Sequence, residues 1–336
     1  MTKKIGKQSF MLTNPVGIIG AASVVGKKEG EGPLGEHFDY ISDDSYFGES
    51  SWEKAESAML RRAFSLACDK AKLAPSELDC IFAGDLLNQC MGSAEAMKAS
   101  SVPYFGLYGA CSTMGESLIL AAMNIDGGFS ERVCAATSSH FCSSERQFRF
   151  PLEYGGQRTP TAQWTVTGAG AAILEKLSTG VCITCMTVGK ITDAGICDAA
   201  NMGSAMAPAA YETLKAHFAD TGRSPSYYDL IVTGDLGAIG HDTLEDLFRR
   251  DGETLGAHYN DCGLLIFDRA TQDVHAGGSG CGCAASVLCS YIMDGFESEK
   301  WKKVLFAPTG ALMSPTSSQQ GASIPGICHA VAIERI

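Results

Sequence analysis

The chain has few charged residues and lacks any long apolar run. Only 19% of its 336 residues are Asp, Glu, Lys or Arg, and no segment reaches the roughly 20 apolar residues that span a bilayer. The start, "MTKKIGKQSF", lacks the apolar core of a secretory signal. Basic residues are scarcer than acidic ones, and the net charge of −12 argues against nucleic acid or anionic lipid as a partner. We expect a soluble, intracellular, compact α/β protein.

Cysteine is abundant, but no pattern of metal ligands accompanies it. The chain has 14 cysteines, and reduced thiols are expected in an intracellular protein of this length. Cys182 and Cys185 have C-x-x-C spacing inside an apolar run that predicts a strand, where residues three apart face opposite sides. Cys281 and Cys283 lack the second ligand pair that structural zinc requires. We therefore predict no metal site.

The chain contains an internal repeat. "DCIFAGDL" is echoed by "DLIVTGDL", and each follows an approach that contains proline and an acidic residue. "GACSTMGESLILAAMNIDGGF" aligns with "GGSGCGCAASVLCSYIMDGF", and a strand-like run follows both. Because the matched elements keep their order, we predict two duplicated α/β halves, residues 1–176 and 177–336.

Each half offers five strands with helical segments between them. The first-half strands are predicted at Val16–Ser23, Cys80–Gly84, Tyr104–Tyr108, Arg132–Thr137 and Ala169–Leu174. The second-half strands are predicted at Val181–Val188, Leu230–Thr233, Gln272–Ala276, Lys303–Ala307 and Cys328–Ile333. Helical periodicity covers Trp52–Leu73 and Ala209–Ala219. Strands that alternate with helices imply mainly parallel sheets covered on both faces.

A cysteine lies where one of these strands turns into a helix. Tyr104–Tyr108 leads through Gly109 to Cys111, and a run of small and apolar residues long enough for a buried helix follows. A helix N-terminus favours an anion and lowers the pKa of a thiol, which would make Cys111 a nucleophile. Free cysteine is also among the most buried residue types and can pack as a small apolar side chain. The elbow alone leaves both interpretations open.

This duplicated frame with a first-half elbow cysteine resembles the thiolase superfamily, which includes the ketoacyl synthases. The resemblance covers essentially the whole chain. It narrows to one family, because the following strings resemble the stage V sporulation protein AD family: "EGPLGEHFD", "AGDLLNQ", "GACSTMGES", "ERQFRFPLEYGGQ", "NMGSAMAPAA", "NDCGLLIF" and "VHAGGSGC". That family is the thiolase-like component of dipicolinic acid transport in spore-forming Firmicutes. The resemblance implies a thiolase-like fold, with two pseudo-repeated five-stranded α/β halves in five layers.

The residues that would support condensation are not found in the expected positions. In the superfamily's enzymes the elbow cysteine is acylated, and second-half His or Asn residues act as base and oxyanion donor. Here the His slot falls at Gly234 with Asp235 beside it, and the Asn slot falls near Gly278, while His275 lies inside a predicted strand. Losing such partners typically costs roughly 10²–10⁴-fold each. The resemblance therefore implies a binding protein with no catalytic residue.

The implied ligand is dipicolinate, pyridine-2,6-dicarboxylate, with or without an accompanying Ca²⁺. Ligands of such folds lie beyond the carboxyl ends of the parallel strands, and the candidate ligand-binding residues there are Cys111, Asp85, Asn88, His140, Arg146, Arg149, Asp235, Gly278 and Ser279. Arginine forks suit carboxylates, and "GGSG" can form an anion-binding nest. Each candidate has an ordinary alternative. The arginines can pair with Glu145 and Glu153 on a solvated surface. His140 can bond to backbone, and the two aspartates can cap the helices that follow them.

Three functions compete on this basis. The first is non-catalytic dipicolinate binding in sporulation and germination, together with other membrane proteins of the stage V sporulation A operon. The second is acyl transfer through Cys111, and the third is a structural subunit with a vestigial pocket. The resemblance also implies a peripheral position at the spore inner membrane, on the cytosolic side. It further implies a homodimer, because superfamily members pair through their first halves.

Overall fold

The computed structural model describes residues 3–148 and 158–336. Its strands are β1 Lys4–Ile5, β2 Ser9–Gly26, β3 Tyr40–Ser42, β4 Cys80–Gly84, β5 Tyr104–Leu107, β6 Arg132–Ser139, β7 Trp164–Thr165, β8 Gly168–Lys176, β9 Val181–Thr187, β10 Leu230–Thr233, β11 Tyr259–Asp261, β12 Gly278–Ser279, β13 Lys303–Ala307, β14 Thr309–Ala311, β15 Gly326–Cys328 and β16 Ala330–Arg335. Its helices are α1 Lys27–Gly30, α2 Trp52–Ala71, α3 Met91–Met97, α4 Thr113–Asp126, α5 Phe141–Phe148, α6 Met202–Thr221, α7 Gly237–Arg250, α8 Cys262–Leu265, α9 Cys281–Val287, α10 Met293–Glu297 and α11 Pro315–Gln319. No helix in these ranges is long and apolar enough to cross a bilayer.

Ten of the described strands form one hydrogen-bonded path in the order β11-β10-β13-β16-β9-β2-β8-β6-β4-β5. The central strands β2 and β9 pair antiparallel. Outward from β2, β8 is antiparallel to both neighbours, and β6, β4 and β5 are parallel to one another. Outward from β9, β16 and then β13, β10 and β11 repeat that pattern. Strand order and direction are therefore the same on both sides of the centre.

The helices form three layers. Each layer packs against the strands through its own apolar core. The central core takes Leu118 from α4 and Val287 from α9, together with side chains from β2, β6, β13 and β16. A second core buries Met59 of α2 against the first-half strands. A third buries Phe248 of α7 and residues of α6 against the second-half strands. Since one central core contacts strands of both halves, the sheet folds back at β2 and β9 and gives five layers.

Equivalent polar contacts recur in the two halves. The Asp79 carboxylate accepts hydrogen bonds from the two backbone N–H groups that open β6, at 2.6 and 3.0 Å. The Asp229 carboxylate accepts from the two that open β13, at 2.7 and 2.9 Å. Both aspartates begin the repeated sequence motif, so the repeat preserves an interaction as well as a sequence. The division at residues 176 and 177 stays a prediction.

One predicted strand is wrong. Gln272–Ala276 forms a turn, and the third strand of the second half is β11 instead. The Val274 N–H donates to the Gln272 carbonyl at 2.8 Å, and His275 has a left-handed φ of 49°. A chain that closes this local bond cannot stay extended. The placement of His275 inside a strand is wrong for the same reason.

The other predicted strands are confirmed, and three of them, Cys80–Gly84, Leu230–Thr233 and Lys303–Ala307, have the predicted ends. The strand predicted at Cys328–Ile333 is divided between β15 and β16, and β2 is longer than predicted because it begins at Ser9. The helix predicted over Ala209–Ala219 begins earlier, at Met202, and contains Pro208. Proline inside a helix removes an N–H donor, but burial of α6 against the third core outweighs this loss.

Candidate functional site

Cys111 lies on the turn between β5 and α4. A short 3₁₀ turn carries it, and Ala110 in this turn has a φ of 49°. The Ser112 hydroxyl donates to the Gly109 carbonyl at 2.7 Å, and the Thr113 hydroxyl donates to the Ala110 carbonyl at 2.6 Å. These bonds hold a backbone conformation that is uncommon outside glycine. The elbow therefore places the Cys111 side chain, 5% exposed, at a fixed position.

Cys111 contributes to the wall of a narrow pocket. Its empty volume is about 500 Å³, but the space open to the centre of a water molecule is only about 40 Å³. Apolar side chains form most of the wall: Leu86, Tyr108, Ala110, Phe148, Ala199, Met202, Ala311 and Met313. The polar side chains on the wall are Ser144, Glu145, Thr165 and Ser279. Such a lining suits a flat, mostly apolar group that carries a few polar atoms.

A buried carboxylate stands behind the thiol. Asp235 follows β10, is fully buried, and takes a hydrogen bond from the Cys111 side chain without lining the pocket itself. It also accepts from the Gly280 N–H at 2.9 Å, the Thr309 hydroxyl at 2.9 Å and the Ser279 hydroxyl at 3.4 Å. Burial raises the pKa of Asp235 to about 6, and these donors oppose the rise.

The same neighbour keeps the Cys111 thiol protonated. Burial raises the pKa of this thiol well above its usual value, and the Asp235 carboxylate raises it further because it repels a second negative charge. A nucleophilic cysteine needs the opposite, a cationic or helix-terminal environment that favours the thiolate. No histidine from the described ranges lines this pocket. At neutral pH the elbow therefore carries a thiol.

Asp261 holds the turn that carries Asp235, and the sequence analysis missed it. It ends β11, is fully buried, and accepts from the Leu236 and Gly237 N–H groups at 2.9 and 3.0 Å. The Thr233 hydroxyl also donates to it, at 2.7 Å. Gly237 has a φ of 59°, so this turn needs glycine as well as an acceptor for its N–H groups. The aspartate of "NDCGLLIF" would have been the signal, had β11 been recognised as a strand.

Asp85 does not line the Cys111 pocket, although its neighbour Leu86 does. The Asp85 carboxylate accepts from the Leu87 N–H at 2.8 Å, the Ser93 N–H at 2.7 Å and the Ser93 hydroxyl at 2.6 Å. It is fully buried, and burial raises its pKa. Asp85 therefore organises its own loop, which is the ordinary alternative considered for it.

Glu56 of α2 is the buried partner of Asp85. The two carboxyl groups flank Gly92, where a Cβ would lie 3.2 Å from Asp85 Cγ and 3.4 Å from Glu56 Oε1. The hydroxyls of Ser138 and Ser143 donate to Glu56 at 3.2 and 2.8 Å. Burial, followed by repulsion from Asp85, raises the pKa of Glu56 to about 8. At neutral pH this acid pair holds a proton.

Two other candidates lie in an outer groove. Asn88 and Arg146 line this groove and not the Cys111 pocket. Arg146 forms an ion pair with Glu53 and lies over the Trp52 ring, 5.3 Å from its centroid. Its guanidinium is thus engaged by an acid and a ring, but the acid is Glu53 and not the Glu145 or Glu153 considered from the sequence.

His140 is held by backbone. Its Nε2 bonds the Ser45 carbonyl at 2.8 Å, and its Nδ1 accepts from the Cys142 N–H at 3.2 Å. Burial lowers the pKa of His140, which keeps the ring neutral. Gly278 pairs with β7 in a two-stranded sheet, and this places the adjacent Ser279 on the pocket wall.

The predicted ligand-binding residues thus divide into groups. Those brought together at the elbow are Cys111, Asp235 and Ser279, with Gly278 beside them. Those placed elsewhere are Asp85, Asn88, His140 and Arg146. Arg149 lies outside the described residues. As ligand contacts, all of them stay predictions.

Metal-binding donors occur in two places in the described ranges. On α7, the ligand atoms of His241, Asp242 and Glu245 lie within 4.8 Å of one another, but the Asp242 side chain is 77% exposed. In the pocket, Glu145 and Ser279 provide oxygen atoms. Oxygen donors of this kind suit Ca²⁺ better than zinc.

Comparison with known proteins decides the family. The family model for stage V sporulation protein AD matches residues 6–334. The chain belongs to the stage V sporulation protein AD family. Stage V sporulation protein AD of Bacillus subtilis is 44% identical to it over 333 residues, which is 99% of this chain and 98% of that protein. The family resemblance predicted from the sequence is thereby confirmed.

Solved structures of condensing enzymes share the fold of this family member. The 3-oxoacyl-[acyl-carrier-protein] synthase III of Aquifex aeolicus has a TM-score of 0.57 and 14% identity, with 95% of this chain and 99% of that chain covered. A variant of OleA from Xanthomonas campestris has a TM-score of 0.62 and 13% identity, with 96% of this chain and 97% of that chain covered. The predicted thiolase-like fold is confirmed, and at these identities the likeness concerns the fold alone.

Proposed function

We propose that this member of the stage V sporulation protein AD family binds dipicolinate in the Cys111 pocket, in sporulation and germination, and does not catalyse condensation. The observation that carries the proposal is the position of the elbow thiol, which is buried against the Asp235 carboxylate. Burial, and then the nearby carboxylate, raises the pKa of Cys111 and keeps it protonated. The apolar wall fits a flat ring, and the few polar side chains on the wall fit its carboxylates.

Charge supports entry of the ligand as its neutral calcium chelate. A dianion in a buried pocket needs a compensating charge. In the described ranges no lysine or arginine lines the pocket, and one carboxyl side chain, Glu145, lies on its wall. With Ca²⁺ as part of the cargo, the charges of the dicarboxylate and the ion cancel, and the pocket need not supply a cation of its own. The competing source of positive charge is Arg149.

Calorimetric titration tests the proposal. We expect dipicolinate to bind the full-length protein in the presence of Ca²⁺. A calcium chelator should weaken binding by roughly tenfold or more, because the described part of the wall offers the dianion no compensating cation. Arg146→Ala is the matched control and should leave the affinity unchanged. Full affinity in chelator, lost in Arg149→Ala, would show that arginine and not calcium neutralises the ligand. No binding under either condition would refute dipicolinate as the ligand.

Acyl transfer through Cys111 remains the second candidate, because the elbow is present and the fold is shared with condensing enzymes. Incubation with acyl-CoA followed by mass spectrometry separates the two functions. An acyl increment on wild type that is absent from Cys111→Ala would favour the enzyme. An unmodified thiol in a protein that binds dipicolinate would favour the binding function.

We propose further that two copies of the chain pair along β5. This strand ends the sheet, and Phe105, Tyr108 and the nearby Met91 are 53%, 42% and 57% exposed. The corresponding end strand of the second half, β11, is largely buried. An exposed edge strand with apolar side chains is a template for another strand, and a twofold axis lets two copies satisfy each other.

Phe105→Lys should convert the dimer to a monomer in sedimentation or light-scattering measurements. Two lysines facing each other across the twofold axis would repel, and the apolar contact would be lost. Phe129→Lys is the matched control, since Phe129 is 82% exposed and lies on the loop between α4 and β6 and not on β5. A monomeric wild type, or a dimer that survives Phe105→Lys, would contradict pairing along β5.

The place of action is proposed from the family. We propose a peripheral position at the spore inner membrane, on the cytosolic side, maintained by the other membrane proteins of the stage V sporulation A operon. Membrane fractions from spores with and without those proteins test it. Loss of the chain from the membrane fraction in their absence is the expected result.

A further inference from the structure

Ser144 is a buried hydroxyl for which the described part of the chain supplies no partner. It lies on α5, lines the Cys111 pocket and is 2% exposed, and its Oγ has no hydrogen-bond partner there. The local acceptor on a helix is the carbonyl four residues earlier, and the His140 carbonyl already accepts from the Ser144 N–H at 3.0 Å. A buried hydroxyl without a partner destabilises the fold, so its presence needs an explanation.

The preceding residue shows how a serine is satisfied on this helix. The Ser143 hydroxyl donates to Glu56 at 2.8 Å and so belongs to the buried acid pair. Ser143 is absent from the wall of the Cys111 pocket, whereas Ser144 forms part of it. The Ser143 hydroxyl is therefore used within the fold, whereas the Ser144 hydroxyl is available to a ligand that enters the pocket.

We propose that Ser144 donates a hydrogen bond to the carboxylate of a flat aromatic acid in this pocket. The proposal rests on the proposed dipicolinate binding and adds a recognition residue to it. The ring lies against apolar wall residues such as Phe148 and Met202, while Ser144 supplies one of the few polar atoms on that wall. A buried donor of this kind rejects analogues that lack the acceptor, because their binding would leave the hydroxyl unpaired.

Ser144→Ala tests the assignment through two readouts of opposite sign. The ligand-free variant should melt roughly 1–3 °C higher than wild type, because an unpaired buried hydroxyl has been removed. Its affinity for dipicolinate with Ca²⁺, measured by calorimetry, should fall roughly tenfold or more, because a charge-assisted hydrogen bond is lost. Ser143→Ala is the matched control from the same helix turn and should lower the melting temperature, since Glu56 loses a donor.

The outcomes separate this proposal from the proposed function. If Ser144→Ala binds dipicolinate as tightly as wild type, or melts lower as Ser143→Ala should, the assignment of Ser144 is overturned while dipicolinate binding stands. If wild type binds no dipicolinate, the same titrations are run with benzoate, picolinate and isophthalate. Binding of one of these that Ser144→Ala weakens keeps the assignment and refutes dipicolinate. Binding of none of them overturns both.

Discussion

Cys111→Phe is expected to abolish dipicolinate binding while the protein stays folded. The space open to the centre of a water molecule in this pocket is only about 40 Å³, and about 10–15 Å³ of such space holds one water. A phenyl ring on the elbow would occupy that space and press on Leu86 and Phe148. We expect a loss of affinity of roughly a hundredfold or more in calorimetry.

Two comparisons make this result specific to the pocket. Cys111→Ala removes a sulfur atom and adds no bulk, so it should cost stability on the order of 1 kcal/mol and leave dipicolinate bound. Cys197→Phe makes the same change at an exposed cysteine and should change nothing. Met313→Trp narrows the pocket from another wall and serves if Cys111→Phe fails to fold. Wild-type affinity in both bulky variants would place the ligand elsewhere.

The sequence predicted the framework well because its signals are local or repeated. The strand before "GDL" is an unbroken apolar run in both halves. An aspartate precedes each run, and its carboxylate accepts hydrogen bonds at the start of the parallel strand beside it in the sheet. Gln272–Ala276 misled because its apolar alternation resembles a strand, while the left-handed turn at His275 depends on tertiary contacts. Only the folded chain shows that β11, three residues long, takes the third position.

The candidate site was harder to predict because proximity in it comes from packing. The elbow at Cys111 follows from one stretch of sequence, but the approach of Asp235 requires both halves to meet. Arg146 looked suited to a carboxylate ligand, yet its helix directs it to Glu53 and Trp52. The serine pair in "CSSER" gave no sign of either role in the sequence. The geometry of the helix decides that Ser143 contacts Glu56 and that Ser144 lines the pocket.

The buried acid pair is expected to make folding stability depend strongly on pH. Glu56 has a pKa of about 8 in the folded state and an ordinary glutamate pKa, about 4.3, when unfolded. The folded state therefore holds the proton more tightly, and its stabilising effect is complete below the unfolded pKa and is lost as pH rises through the folded pKa. Burial likewise raises the pKa of Asp85, Glu29 and Asp261, so their contributions have the same sign.

Glu56→Gln isolates the contribution of Glu56. Gln keeps the shape of the protonated side chain. Its carbonyl oxygen can accept a hydrogen bond from Ser138 or Ser143, and the hydroxyl of the other serine can rotate to accept one from the Gln amide N–H. Denaturant unfolding between about pH 5 and about pH 9 should show wild type losing on the order of 3 kcal/mol more than the variant, since each pKa unit corresponds to about 1.4 kcal/mol. At the alkaline end the variant should be the more stable protein.

Glu212→Gln removes an exposed carboxylate as the control and should leave the wild-type slope unchanged. Parallel pH profiles for wild type and Glu56→Gln would mean that Glu56 folds as a carboxylate, and that a positive charge or a water chain reaches the pair across Gly92.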